Sequence, residues 1–440
     1  MSSLLQRLEE AVADTPLRER IGVRAADYAA RRGDDPALRK LPDAALRGLA
    51  RVIASQPEMA GFLRHRTDFA ARLAELAADA DLADRARGLD ADAEPILALD
   101  LEAALDALRV RRRQQMALAA CIDLAGLAPF ATISHFLSEL AESTTRIALD
   151  LARRELSVPD VEDDFAIVGM GKLAGRELTY HSDLDLIFLY RGGPERVTRA
   201  SRIGQRLISY LTTMTGAGVA YEVDTRLRPS GRQGMLVTSF EAFERYQTHE
   251  AQTWEHLAQL RGRVIGGAPE ATHVLEHVHT HILARRQPAW LELAPLREQV
   301  RIERADERDG RVAFKTGAGG LMDVDFLAGG GLLERGAAQF PAEPSVPAML
   351  RACASGPRVE AVLEDYQLLR RLEARARWVA GRPVESVRRD DETLAVVAEL
   401  VEPGLTGEDL LERVSAARKR VRDAYAAVIA ADSLDALDAG

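Results

Sequence analysis

Asp183 and Asp185 stand one leucine apart at the head of an apolar run. On a strand this spacing sends both carboxylates to one face, with Leu184 and Leu186 on the other. Like charges held side by side repel unless a cation lies between them, and hard carboxylate oxygens suit Mg²⁺ or Mn²⁺. The pair closes a stretch from Phe165 to Tyr190 that reads FAIVGMGKLAGRELTYHSDLDLIFLY. Its first half is a second apolar run ending in Gly169 and Gly171, followed by Gly175. A glycine turn of this kind lets backbone approach a phosphate with no Cβ in the way. Both apolar runs predict buried strands.

The commoner phosphate motifs do not fit. Gly169-x-Gly171-x-x-x-Gly175 is one residue too long for the dinucleotide fingerprint, and Leu173 follows Lys172 where a P-loop needs Ser or Thr. A glycine turn followed by carboxylate-apolar-carboxylate-apolar is instead a nucleotidyltransferase pattern. The residues from Val219 to Pro229 add to it by alternation. Tyr221, Val223, Thr225 and Leu227 fall on one face; Glu222, Asp224, Arg226 and Arg228 fall on the other. With this strand beside the first, Asp224 becomes a third metal carboxylate, and Arg226 and Arg228 are placed to grip phosphate oxygens. A salt-bridge ladder on an exposed face is the bland alternative. Ser230, Gly231 and Gly234 then predict a flexible turn whose amides can meet an anion.

The elements around these residues are mostly helical. At 440 residues the chain is long enough for two or three domains. Ala, Leu and Arg abound, which favours helices, and the pattern divides into a helical region over 1–160, a strand-rich core over 161–270 and a helical bundle over 290–435. Leu97 to Asp123 holds a helical period carrying Arg109, Arg111, Arg112 and Arg113, which reads as a solvated face or as a contact for an anionic partner. Ser157 to Asp164 reads as a polar linker. Trp254 is expected in the core. His273, His277, His279 and His281 predict an exposed histidine-rich helix rather than a zinc site. The glycine loop from Lys315 to Gly320, ahead of Asp323, reads equally as an anion site or a packing turn. The tail from Ala430 is expected to fray.

A net charge of −10 argues against a protein whose main task is to bind nucleic acid backbone. No apolar run approaches the roughly 18 residues of a membrane span. Cys121 and Cys353 lie far apart without metal or disulfide spacing, so the expected setting is soluble and cytoplasmic.

GMGKLAGREL, SDLDLIFLY, YEVDTRLRPSG, TWEH and KTGAGGLMDVDF, in this order, resemble the bacterial glutamine synthetase adenylyltransferase family. The resemblance is specific through the core and weaker in the helical flanks. It implies an α+β, mostly helical protein whose mixed sheet is of the nucleotidyltransferase, polymerase-beta-like kind, flanked by helical bundles. Family members pair two such halves, one attaching AMP to a tyrosine of glutamine synthetase and the other removing it by phosphorolysis; this chain carries one. YEVDTRLRPSG resembles the adenylylating half, whereas the helical N-terminal region resembles the start of a whole chain. Ala174 and Asp325 depart from the family's usual glycine and glutamate.

The resulting expectation is AMP transfer from ATP to a tyrosine hydroxyl of glutamine synthetase. Asp183, Asp185 and Asp224 hold Mg²⁺ (or Mn²⁺), while Gly169, Gly171, Lys172, Ser182, Arg226 and Arg228 contact the nucleotide. Phosphorolytic removal of AMP uses the same carboxylates. A non-catalytic module binding nucleotide or the PII signalling protein, itself an implied partner, is the alternative from another class.

Overall fold

The computed structural model describes residues 3–79, 81–158, 164–286, 289–336 and 339–438, so most of the expected linker after Ser157 lies outside the described residues. At its centre is a mixed sheet of β1 (Phe165–Met170), β2 (Leu184–Tyr190), β3 (Val223–Asp224), β4 (Val237–Ser239) and β5 (Gly262–Gly267). The order is β3-β2-β1-β5, and β4 joins β3 along the same edge of β2. β1 pairs antiparallel with β2 and β5, whereas β3 and β4 run parallel to β2. The expected α+β architecture with helical flanks is therefore present.

The two apolar runs lack alternation because the sheet is covered on both faces. Phe165, Ile167, Leu184, Leu186, Phe188 and Tyr190 point into one core, built mainly by helices that precede the sheet in the chain. Ala166, Val168, Met170, Ile187 and Leu189 point into the other, built mainly by helices that follow it. By the parity of β2, Asp185 belongs to the second face.

Helices Leu101–Leu124 and Phe130–Glu155 form the wall on the first face. Asp100 starts the former by accepting a hydrogen bond from the Ala103 amide at 3.0 Å. The arginine cluster on this helix is not a solvated face. Arg109 is fully buried and donates to the carbonyls of Leu105, Tyr210, Thr213 and Gly218. It thereby fixes the loop that delivers β3. Arg111 is also buried, and Arg112 and Arg113 stack over Tyr221 and Phe62 at 4.3 and 4.5 Å. A helical period alone cannot reveal that a second layer of carbonyls covers the arginine side.

On the second face, helices Leu321–Arg335, Pro357–Ala380 and Gly407–Ala431 make the bundle. Thr406 and Asp409 start the last of these with reciprocal caps. The described part of the tail docks rather than frays: Leu434 and Leu437 are buried, and Arg335 donates to Asp438 at 2.8 Å. Trp254 proves partly exposed, its indole N–H turned back to Gln252, because the helix Thr253–Gln259 presents His256 and Gln259 inward instead. In helix Ala271–Ala284, His273 and His277 are exposed as expected, but His279 is buried and bonded to the Gln259 carbonyl. Among the described residues no helix is long and apolar enough to cross a membrane.

Candidate active site

The register between β2 and β3 sets Asp224 opposite Asp185. Neighbours in a parallel register point to the same side, so the third carboxylate joins the first two as expected. Asp183 precedes β2 and is exposed; Asp185 and Asp224 are half-buried. Burial, with Asp183 and Asp224 alongside, pushes the Asp185 carboxyl up to about 6, against the opposing pull of Lys315 and Lys172. Three carboxylates crowded on one edge are a donor set for a hard divalent cation. As they stand, no three His, Cys, Asp or Glu side chains among the described residues converge closely enough to hold one. Asp224 is drawn aside by Arg226, whose Nε donates to it at 2.6 Å and whose backbone N–H donates at 2.8 Å.

The expected strand stops after Asp224. Arg228 donates through Nη1 to the Thr225 carbonyl at 2.7 Å and through Nε to the Gly234 carbonyl at 3.3 Å, folding the chain into a turn instead of a ladder. The turn's amides are used within it: Gly231 N–H bonds Arg228 and Gly234 N–H bonds Gly231. Pro229, which has no N–H to offer a neighbouring strand, favours this outcome.

Gly169 lies next to the end of β1 inside the core, where a Cβ would press on Ile265 and Leu173. Gly171 has φ +57° and donates its N–H to the Arg261 carbonyl at 2.8 Å. A Cβ there would lie 3.6 Å from an Asp185 oxygen, so its absence opens the space above the carboxylates. Lys172 turns to Glu373, which is fully buried and also pairs with Arg370 and Arg377. Burial lowers the Lys172 ammonium while Glu373 supports its charge. Ser182 is buried; its Oγ accepts from the Thr179 amide at 3.2 Å and from Arg377 at 3.3 Å.

The pattern around the glycine turn therefore includes residues that sequence reasoning missed. Glu177 is held by Arg261 at 2.6 Å and by Tyr366 at 3.0 Å, and Tyr180 donates to Asp123, which Arg375 also grips. Tyr366, Arg370, Glu373, Arg375 and Arg377 all lie on the Pro357–Ala380 helix, which clamps the turn from residue 171 to residue 182. Lys172 and Glu373 are 201 residues apart, and no local pattern signals such a pair. Lys315, close enough to act on Asp185 and paired with Glu385, comes from the glycine loop that the sequence did single out.

A small sheet with clustered acidic residues at one edge, set between helical bundles, defines a protein of nucleotidyltransferase-like fold. Residues 46–278 match the family model for glutamate-ammonia ligase adenylyltransferase. A bifunctional glutamine synthetase adenylyltransferase/adenylyl-removing enzyme of Methylococcus capsulatus is 36% identical over 239 residues, covering 49% of this chain and 25% of the relative. The enzyme of the same description from Aromatoleum aromaticum is 34% identical over 343 residues, covering 74% of this chain and 36% of the relative. The chain thus belongs to the glutamate-ammonia ligase adenylyltransferase family, and the matched stretches span about a quarter to a third of the length of these relatives.

Proposed function

We propose that this site transfers an adenylyl group at a tyrosine hydroxyl of glutamine synthetase, taking AMP from ATP. The observation that carries the reading is the register of Asp224 with Asp185, beside Asp183. Asp183, Asp185 and Asp224 are the residues that would hold Mg²⁺ or Mn²⁺, which when bound would supply Lewis-acid chemistry to the transfer. The chain's own residues do the rest. Gly171 leaves room for a phosphate above Asp185. Arg226, on leaving Asp224, is free to neutralise phosphate oxygens in the transition state. Lys172 and Ser182 keep the turn in shape through Glu373 and Arg377. On this reading the setting is the cytoplasm, with a PII-type signalling protein as a regulatory partner.

A second reading, phosphorolytic removal of AMP from adenylylated glutamine synthetase, is favoured by one observation. Lys172, Ser182 and Arg228, expected to grip a triphosphate, are each engaged by protein partners. An inorganic phosphate asks for fewer cations than a triphosphate. Products separate the two. Incubation with Mg²⁺, α-labelled ATP and unmodified glutamine synthetase gives labelled tyrosine and pyrophosphate in the forward reaction. Phosphate with the adenylylated target gives ADP in the reverse. Silence in both overturns adenylyl transfer and leaves a nucleotide- or PII-binding module.

A further inference from the structure

The cations of the core are committed to the protein, yet a second set lies beside Asp183. A cavity of about 350 Å³ opens where the N-terminal helices, the loop before β3 and the turn after the Pro357–Ala380 helix meet. Arg112, Arg113, His181, Asp183 and Arg382 line it. None of the three arginines forms an ion pair within 4 Å among the described residues. Arg112 stacks on Tyr221, and its Nε is buried without a partner. Arg113 stacks on Phe62 and reaches only the Glu58 carbonyl, at 3.5 Å. Burial, with Arg112 and Arg66 nearby, holds its guanidinium below the usual value, against the pull of Glu58. Arg382 is exposed. His181, at φ +53°, carries an Nε2 that is buried and without a partner.

Arg112 and Arg113 are half-buried with no carboxylate paired to them, and the Arg112 Nε is wholly buried without a partner, an arrangement that a ligand supplying the missing charge would relieve. The cavity's other carboxylates, on Glu58 and Glu222, are exposed and therefore screened by water. Guanidinium forks match phosphate oxygens in shape as well as charge. We propose that this cavity is a phosphate subsite, in which Arg112, Arg113 and Arg382, with His181 Nε2, hold a phosphate group next to Asp183. The inference rests on adenylyl transfer as the reaction, and it adds phosphate-gripping charge from the helical flanks to that of Arg226. The phosphate belongs either to the tail of a nucleoside triphosphate or to free inorganic phosphate.

The test is a titration of the whole chain, free of metal and of glutamine synthetase, with pyrophosphate and with inorganic phosphate separately, followed by calorimetry. Saturable binding of one anion is expected, weakened about tenfold in Arg112→Gln and weakened also in Arg382→Gln, while Asp183→Asn leaves it no weaker. Arg382 is exposed and makes no side-chain hydrogen bond or ion pair among the described residues, so its variant probes the site without disturbing the fold. Tighter pyrophosphate binding identifies the triphosphate tail as the source, and tighter phosphate binding identifies the free anion. The subsite is overturned if neither anion saturates, or if both arginine variants bind as the parent does. Transfer without anion binding removes the subsite and keeps the reaction; anion binding without transfer does the opposite.

Discussion

The chain contains two glycine turns that each lead into aspartate-x-aspartate, and the structure uses them in opposite ways. Asp183 and Asp185 enter a strand, where residues two apart share a face, and Asp224 is added to that face from β3. Asp323 and Asp325 enter the helix Leu321–Arg335, where residues two apart diverge by about 200°. Asp323 takes Arg297 at 2.6 Å and accepts from the Gly319 amide of the preceding loop at 2.6 Å; Asp325 takes Arg261 at 2.9 Å. Gly319 packs so tightly on Arg418 that a Cβ would lie 1.8 Å from its carbonyl oxygen. That loop is a packing turn, filled by its own carboxylate. Identical spacing thus yields carboxylates gathered on one face in one place and separately neutralised charges in the other. The backbone period makes the difference.

The comparison can be broken at its strongest point first. Asp183→Asn is expected to lower turnover by at least ~10³ in the labelled-tyrosine or ADP-release assay with folding unchanged; activity within tenfold of the parent removes the metal assignment. Asp323→Ala is expected to do the reverse. It leaves Arg297 buried and unpaired and costs about 3–5 kcal/mol in urea unfolding; a variant as stable as the parent means that the second pair is not structural.

Asp185→Asn sharpens the contrast through pH. Its carboxyl, raised to about 6 from 3.8, binds a proton more tightly folded than unfolded. Stability therefore falls as pH rises from about 4 to about 6, and the penalty is fully present above that window. Without metal, the variant should be more stable than the parent at pH 7 by up to about 3 kcal/mol, with the gap closing near pH 4. A pH-independent gap would mean that Asp185 is not crowded.

Much of this was legible in the sequence because the informative signals are local. The apolar runs, the glycine turn and Asp183/Asp185 sit within one stretch, and the alternation after Val219 correctly brought Asp224 to the pair. Alternation then misled for Arg226 and Arg228. Side chains that bond to nearby carboxylate and carbonyl oxygens turned a strand into a loop two residues after it began. The buried arginines were illegible for another reason. Arg109 satisfies carbonyls about a hundred positions away, and Glu373 satisfies Lys172 across the whole core. Charge in a sequence reads as surface, because partners that arrive from far along the chain leave no local trace.

The sheet's division between two cores also orders events during synthesis. Once β1 and β2 have left the ribosome, the helices already made can cover the face of Phe165, Ile167 and Phe188. The opposite face, with Val168, Ile187 and Leu189, must wait for the bundle that follows it. Glu373 and Arg377 arrive with that bundle, so the turn that carries Lys172 and Ser182 takes its final shape only late in translation. A nascent chain can hold Asp185 in register with Asp224 well before it has the clamp that fixes the turn beside them.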